Sequence, residues 1–486
     1  MHSQYHRPNK GHLPIRHFIT IIILLLLLGF VAKTADISKS STSPSHTDEA
    51  RWWKGNIHTH TLWSDGNHYP ENIVDHYKSS GYHFLALSDH NILSISNNKW
   101  IDVKRSSGGM EAYEKYVNRF GSAWIDQLIK DDVLYVRLKT LEEIRGLFEE
   151  PEKFLLIQAE EISKQYIRSE QVGTALIQTA QTSAEHSHHE HSHHEHHSGG
   201  AAVPLHIVAI NTISQVSVQA GKNVMEVLQN SIDAVAMHSQ QSNQPMLSVI
   251  AHPNFQDAIN AKDIVDIEEA KFFEVYNGHI YSNNTGNNMR PGTEGMWDTV
   301  LTERFKRGGK LIYGVAVDDT HTYHETDSNC CNAKRGWVVV RAQKLTADTI
   351  TLAMDSGDFY SSTGVELKDI QHDNSQTKIA IKAEEGVSYS TQFIGTRIGS
   401  NKSGVILATE AGTEVSYRFA CNEMYVRAKV TSSKRHADPS QLGEMEVAWT
   451  QPIQIENCIP NIYLPLISKN QKSKSANVFT TRPKSY

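Results

Sequence analysis

Between Arg51 and Gly364 the chain repeats one pattern: a short apolar run closed or flanked by an ionisable residue, then a stretch with helical spacing. The runs are GNIHTHT, FLALSDH, FLLIQAEEIS, LHIVAIN, MLSVIAHPN, FFEVYNG, LIYGVAVDDTH and GWVVVRA, and the stretches between them include YPENIVDHYKSSG and EGMWDTVLTERFKRGG. Apolar runs of this length bounded by turn residues read as strands, and their alternation with helices predicts a parallel sheet or an α/β barrel. Such folds carry their reactive side chains at the carboxyl ends of the strands. Nearly all of His58, His60, Asp65, His90, Glu161, His206, His252, Asp319 and His321 stand there.

The flanks obey different rules. Arg7, Lys10 and Arg16 precede the apolar run Phe18 to Ala32, so residues 1–35 read as an export signal or an N-terminal anchor. The run is short for a membrane span, which needs about 20 residues, and this favours cleavage. Lys33 and Phe30 stand where a cleavage site wants small residues, which keeps an uncleaved anchor open; the membrane enters only through such an anchor. Either way the protein is expected to be exported, in the periplasm or otherwise outside the cytoplasm. Residues 36–50 read as a flexible linker rich in Ser and Thr. From 365 to 458, TKIAIKAE, TQFIGTRI, EVSYRFA, MYVRAKVTSS and MEVAWTQPI give strands without helices, as in a small β-sandwich. Residues 459–486 read as a loose basic tail.

The net charge is -7, and removal of residues 1–35, with four Lys or Arg and no acid, would leave about -11. An acidic body lacks the basic footprint of a nucleic-acid-binding protein. Cys330, Cys331, Cys421 and Cys458 lack the spacing of a zinc ribbon. Export permits disulfides, and Cys421 with Cys458 is the first pair to test; adjacent Cys330 and Cys331 read as two thiols in a loop.

In a strand alternate side chains share a face, so His58 and His60 can chelate one ion, and Asp65 can reach it from the next turn. Burying nine such groups without a metal would cost several kcal/mol apiece. They exceed the needs of one catalytic zinc, so two or three divalent ions (Zn, Mn or Fe) are expected, with a carboxylate such as Glu161 as the bridge. An insert at about 163–202 holds EHSHHEHSHHEHHSGG, with eight histidines between His186 and His197. It should bind extra Zn, Ni or Cu ions loosely, either incidentally or to hand metal to the cluster.

Taken in order, H-x-H-x4-D-G, S-D-H-N, E-I-S, the isolated strand histidine, A-H-P-N and D-x-H resemble the PHP (polymerase and histidinol phosphatase) superfamily over residues 54 to 364. The resemblance implies a distorted (β/α)7 barrel with a metal cluster, often trinuclear, at the strand carboxyl ends. It places His58, His60, Glu161 and Asp319 about one ion, Asp65, His90 and His321 about a second, and Glu161, His206 and His252 about a third. Ala159 stands where the family more often has Gly. The E-I-S alignment selects Glu161 over Glu160, and the D-x-H spacing selects Asp319 over Asp318.

The implied chemistry is hydrolysis of a phosphate mono- or diester of a small phosphorylated substrate, with cations activating a bridging water and neutralising phosphate oxygens. Asp65 or Asp89 would relay protons, Arg335 would clamp a phosphate, and Asn254 and Asn277 would line the pocket. Two other functions remain open: a 5'-3' exonuclease acting on short oligonucleotides, and a non-catalytic envelope-binding protein.

Overall fold

The computed structural model describes residues 50–168, 202–323, 331–456 and 458. The expected export segment, all of the linker but Ala50, the histidine tract, Cys330 and the basic tail lie outside these residues. All eight apolar runs form strands: β1 (Arg51–Asn56), β2 (Phe84–Leu87), β3 (Leu155–Ile167), β4 (Ala202–Ile210), β5 (Leu247–Ile250), β6 (Phe272–Asn277), β7 (Tyr313–Val317) and β8 (Trp337–Ala342). Between them lie α1 (Pro70–Ser79), α2 (Gly109–Phe120), α3 (Leu141–Phe148), α4 (Val224–Ser242), α5 (Ala261–Val265) and α6 (Thr293–Phe305), and α7 (Ala347–Asp355) follows β8. Local chemistry sets their limits. Proline opens α1, where its missing N–H has no partner to lose, and Thr140 and Glu143 cap α3 reciprocally.

Strands β1 to β7 pair in chain order. β1, β2 and β3 run parallel, as do β5, β6 and β7. β4 is reversed and antiparallel to both neighbours, and β8 runs antiparallel to β1, so the expectation of a wholly parallel sheet fails at two of the eight strands. β3 and β4 form one long hairpin, with Glu161 opposite Val208 and Ile167 opposite Ala202. A hairpin returns the chain antiparallel, whereas a parallel neighbour needs a crossover.

The two ends of this seven-strand run meet beyond β1 and β7. Asp319 N donates to His58 O at 3.0 Å, His60 N donates to Thr320 O at 3.0 Å, and Thr59 and Thr320 pair in parallel. Lower down, side chains satisfy the backbone of β7. Gln451 donates to Gly314 O and accepts from Gly314 N, while Ser361 Oγ donates to Gly314 O and accepts from Ala316 N. Inward positions on these strands form one apolar cluster that includes Phe84, Ala86, Ile157, Ala159, Val208, Val249, Phe272 and Val315. Each large aliphatic or aromatic side chain buried there contributes about 1.5–3 kcal/mol.

The C-terminal strands are β9 (Phe359–Ser362), β10 (Leu367–His372), β11 (Gln376–Ile381), β12 (Tyr389–Arg397), β13 (Val405–Ala411), β14 (Glu414–Arg418), β15 (Glu423–Arg435) and β16 (Met445–Thr450). The main sheet continues through them in the order β1-β8-β9-β16-β15-β12-β13, and β10, β11 and β14 form a second sheet. Phe393, Val426 and Val430 of the main sheet share a core with Ile379, Ile381 and Tyr417 of the second. Hydrogen bonding therefore crosses the boundary expected near residue 364. Cys421 and Cys458 are joined as a disulfide. A small sheet of residues 100–102, 127–130 and 133–137 stands between α1 and α3 in the chain and was not legible as strands. Among the described residues no helix is long and apolar enough to cross a membrane.

Candidate metal centre

Side chains alternate across a strand, so residues two apart continue one face. Ile157 and Ala159 of β3 belong to the inward apolar cluster, and Glu161 is next on that face. On β4, Val208 and Ile210 are inward and His206 continues them; on β6, Glu274 follows Phe272. The apolar layer thus gives way to an ionisable one on the same strands. Two donors reach this layer from turns just past a strand, with positive φ: His252 at 22° beyond β5 and Asp319 at 52° beyond β7. A left-handed backbone costs such residues about 1–2 kcal/mol, and here it occurs where two side chains join the cluster.

All nine candidate ligands come together. Glu161 lies at the centre with its two oxygens facing different imidazoles. Oε1 is 2.8 Å from His206 Nδ1, 3.2 Å from His252 Nε2 and 3.4 Å from His58 Nε2. Oε2 is 2.7 Å from His90 Nδ1 and 3.4 Å from His60 Nε2. Asp319 Oδ1 lies 3.1 Å from His60 Nε2 and 3.3 Å from His58 Nε2. Asp65 faces His60, His90 and His321 at 3.4–3.5 Å. The donor atoms fall into overlapping groups: His58, His60 and Asp319; His60, Asp65, His90 and His321; His90, Glu161 and His206.

Neighbouring charges and burial shift these groups strongly. Burial would raise the Glu161 carboxyl, yet His206, His90 and His58 hold it well below its usual range. Asp319, also buried, is held low by His58 and His60. Burial opposes protonation of His90, but Glu161 and Asp65 raise it to about 10; burial together with His321 and His90 pushes His60 down to about 3. Imidazole nitrogens face one another at 3.1 Å between His58 and His60 and at 3.2 Å between His206 and His252. Among the described residues, His252 Nδ1 is buried without a hydrogen-bond partner. Six imidazoles converging on three ionised carboxylates form a donor set that fits divalent transition metals.

Behind the cluster stands a residue that the motifs missed. Glu274 Oε1 is 2.6 Å from His58 Nδ1, and Oε2 accepts from His252 N at 2.6 Å and Asn277 Nδ2 at 2.7 Å. Asn277 Nδ2 also donates to Asp319 Oδ2. A carboxylate behind a ligand histidine fixes its tautomer and ring orientation. The available signal was an acid in the otherwise apolar run FFEVYNG.

Two expected catalytic residues hold structural partners in this structure. Asp89 accepts from Thr61 N, Thr61 Oγ1, Ser64 N and Ser64 Oγ, so both its oxygens hold the turn after β1. Arg335 is buried, donates to Gly278 O and pairs with Asp438 at 3.0 Å, which links it to the C-terminal strands. Asn254 supports loops: its amide donates to Asn283 O and Pro291 O, and its carbonyl accepts from Arg290 Nε. The neighbours passed over by register are also structural. Glu160 accepts from Val216 N, and Asp318 accepts from Tyr77 and from the backbone of Lys334, Arg335 and Gly336.

No family model matches the chain, and no curated protein matches it. Among solved structures it is similar to a two-domain protein from Bacteroides vulgatus ATCC 8482 containing a predicted PHP-like metal-dependent phosphoesterase. That match has 12% identity and a TM-score of 0.33, over 83% of this chain and 96% of the other. It is also similar to an amidohydrolase from Chromobacterium violaceum with bound sulfate and no metal, at 12% identity and a TM-score of 0.25, over 56% of this chain and 88% of the other. A PHP-like metal-dependent phosphoesterase and an amidohydrolase are thus among the solved structures to which this chain is similar.

Proposed function

We propose that this protein is an exported metal-dependent phosphoesterase of the PHP type. In this reading it hydrolyses mono- or diesters of a small phosphorylated substrate at a di- or trinuclear site at the mouth of a (β/α)7 barrel. The carrying observation is Glu161, whose two oxygens face separate sets of histidines as a bridging carboxylate requires. His58, His60, Glu161 and Asp319 would hold one ion, Asp65, His90 and His321 a second, and Glu161, His206 and His252 a third. Bound divalent cations supply Lewis acidity toward phosphate oxygens and an activated water.

The chain's own groups set the access. His58, His60 and Glu161 are sealed from solvent, whereas the side chains of Asp65, His90 and His321 are 54%, 26% and 20% exposed. A substrate phosphate enters on that side. Asp65, the most exposed cluster carboxylate, would accept a proton from the incoming water. Glu274 holds the His58 ring with its Nε2 toward the cluster. The histidine tract at 186–197, which lies between β3 and β4 in the sequence, would bind further ions.

Metal analysis of the full chain, with a panel of phosphomonoesters, diesters and short oligonucleotides, tests the reading. The wild type should hold two or three Zn, Mn or Fe ions and cleave small esters. His60→Ala and Glu161→Ala should lose metal and reduce kcat/KM by more than about 100-fold, the upper range for loss of a residue that merely supports a metal ligand. A wild type that binds no metal after reconstitution overturns it.

A further inference from the structure

The donors on the open side of the cluster do not stop at oxygen and imidazole. Among the described residues, donor atoms of His279, His321 and Cys331 lie within 4.8 Å of one another, and all three residues are half-buried. His321 is also in the group with His60, Asp65 and His90. We propose that His279, His321 and Cys331 form a further cation position, with two imidazole nitrogens and one thiolate sulfur as donors, selective for thiophilic ions such as Zn2+, Cd2+ and Co2+, that shares His321 with the proposed phosphoesterase cluster.

Three features support it. The segment at Cys331 is tied to His321: Cys331 O accepts from His321 N at 3.1 Å and Thr322 N at 3.2 Å, and Thr322 pairs with Asn332. This pairing keeps the thiol beside the imidazole. His321 Nδ1 lies 2.9 Å from Asp319 O, a bond in which the ring N–H donates, and this leaves Nε2 with its lone pair for a metal. That nitrogen faces Asp65 Oδ2 at 3.4 Å on one side. Finally, His279 stands two residues past the end of β6, and its ring is 5.8 Å from the His321 ring at 86°. His279 N donates to Asn277 Oδ1, which ties it to the residue that supports Asp319.

The donor chemistry gives the selectivity. Thiolate with two imidazoles suits zinc and softer ions, whereas Mn2+ and Mg2+ favour carboxylate and water. Binding requires the thiolate, so the Cys331 S–H proton is released to solvent as the S–metal bond forms. Because His321 serves both groups, a thiophilic ion here draws that imidazole from Asp65. Excess Zn2+ or Cd2+ would then inhibit an enzyme working with Mn2+.

The inference rests on the cluster reading, and its test is read by absorbance, separately from turnover. Co2+ added to the metal-free full chain should give a thiolate-to-cobalt charge-transfer band in the near ultraviolet. Cys331→Ser should abolish the band, His279→Ala should weaken Co2+ binding, and Cys330→Ser should leave the band intact; Cys421 and Cys458 are tied up in the disulfide. Cys331→Ser should still take up Mn2+ like the wild type, which serves as the folding control. Inhibition of Mn2+-loaded enzyme by Cd2+ should also be lost in Cys331→Ser. A band that survives Cys331→Ser, or that disappears with Cys330→Ser, overturns the inference. So does a wild type that binds Mn2+ and cleaves phosphoesters but gives no band with Co2+; that result leaves the cluster reading in place.

Discussion

Two buried charged assemblies in this molecule follow opposite rules. Where α6 meets β15, Asp298 receives Arg427 through two hydrogen bonds of 2.6 and 2.8 Å and Tyr425 OH through a third of 2.8 Å. Each oxygen of this carboxylate meets an N–H or O–H donor. Around Glu161, by contrast, imidazole nitrogens face each other and three carboxylates share six rings, a donor set that fits divalent cations. Buried charge is costly in both places. The first assembly balances its carboxylate from within and joins β15 to α6; the second gathers the donor groups that suit a metal site.

The sharpest way to break this comparison is to split the first pair. Arg427→Met leaves the buried Asp298 without its cation and should cost about 3–5 kcal/mol in a denaturant titration. Metal content should not change, because no residue of the pair touches the cluster. The double variant Asp298→Leu with Arg427→Met should recover much of the loss. Loss of bound metal in Arg427→Met would show that the two assemblies are coupled.

Lys54 provides an intermediate case, a half-buried cation held by rings. Its ammonium sits 3.7 Å from the centre of the Trp337 ring and 4.2 Å from that of Tyr82, and burial lowers its pKa to about 8 although Asp318 opposes the shift. Between pH 8 and 10.5 the unfolded chain binds the proton more tightly than the folded one. This group's contribution to stability therefore rises with pH across that window, by about 1 kcal/mol per unit, and the penalty is fully present below it. The stability difference between wild type and Lys54→Met should follow that slope, with the variant more stable at pH 7. A difference independent of pH would mean that the rings and Asp318 fully compensate the burial.

What the sequence disclosed follows the same division. Apolar runs revealed the strands, and motif spacing picked out nine donors, because periodicity and short-range spacing are local properties. Strand phase gives the physical reason for Glu161 over Glu160: positions 157, 159 and 161 share the inward face. Partnership at long range was not legible. Nothing near Arg335 points to Asp438, and nothing in β9 or β16 specifies that they extend the sheet containing β1. Alternation fixes a face but not a neighbour, so the reversal of β4 was hidden as well. Glu274 escaped because a lone acid in an apolar strand belongs to no spacing rule.

Glu274 also gives the mildest and most discriminating test of the second assembly. It is buried on β6, faces no solvent and holds two parts of the cluster, His58 through Nδ1 and His252 through its backbone N–H. Glu274→Gln keeps the shape and can still accept from His252 N, but it removes the charge that supports the His58 ring. If the cluster binds cations, metal affinity should fall about 10–100-fold, as is usual for a support carboxylate behind a ligand histidine. That is about 1.4–2.7 kcal/mol. Thermal stability of the metal-free protein should move less than this, because the buried charge lost with the carboxylate offsets the lost hydrogen bond. The split between the two measurements is the diagnostic. A residue placed only for packing would reduce stability with and without metal alike, whereas a residue that orients His58 weakens the metal-loaded state far more than the empty one.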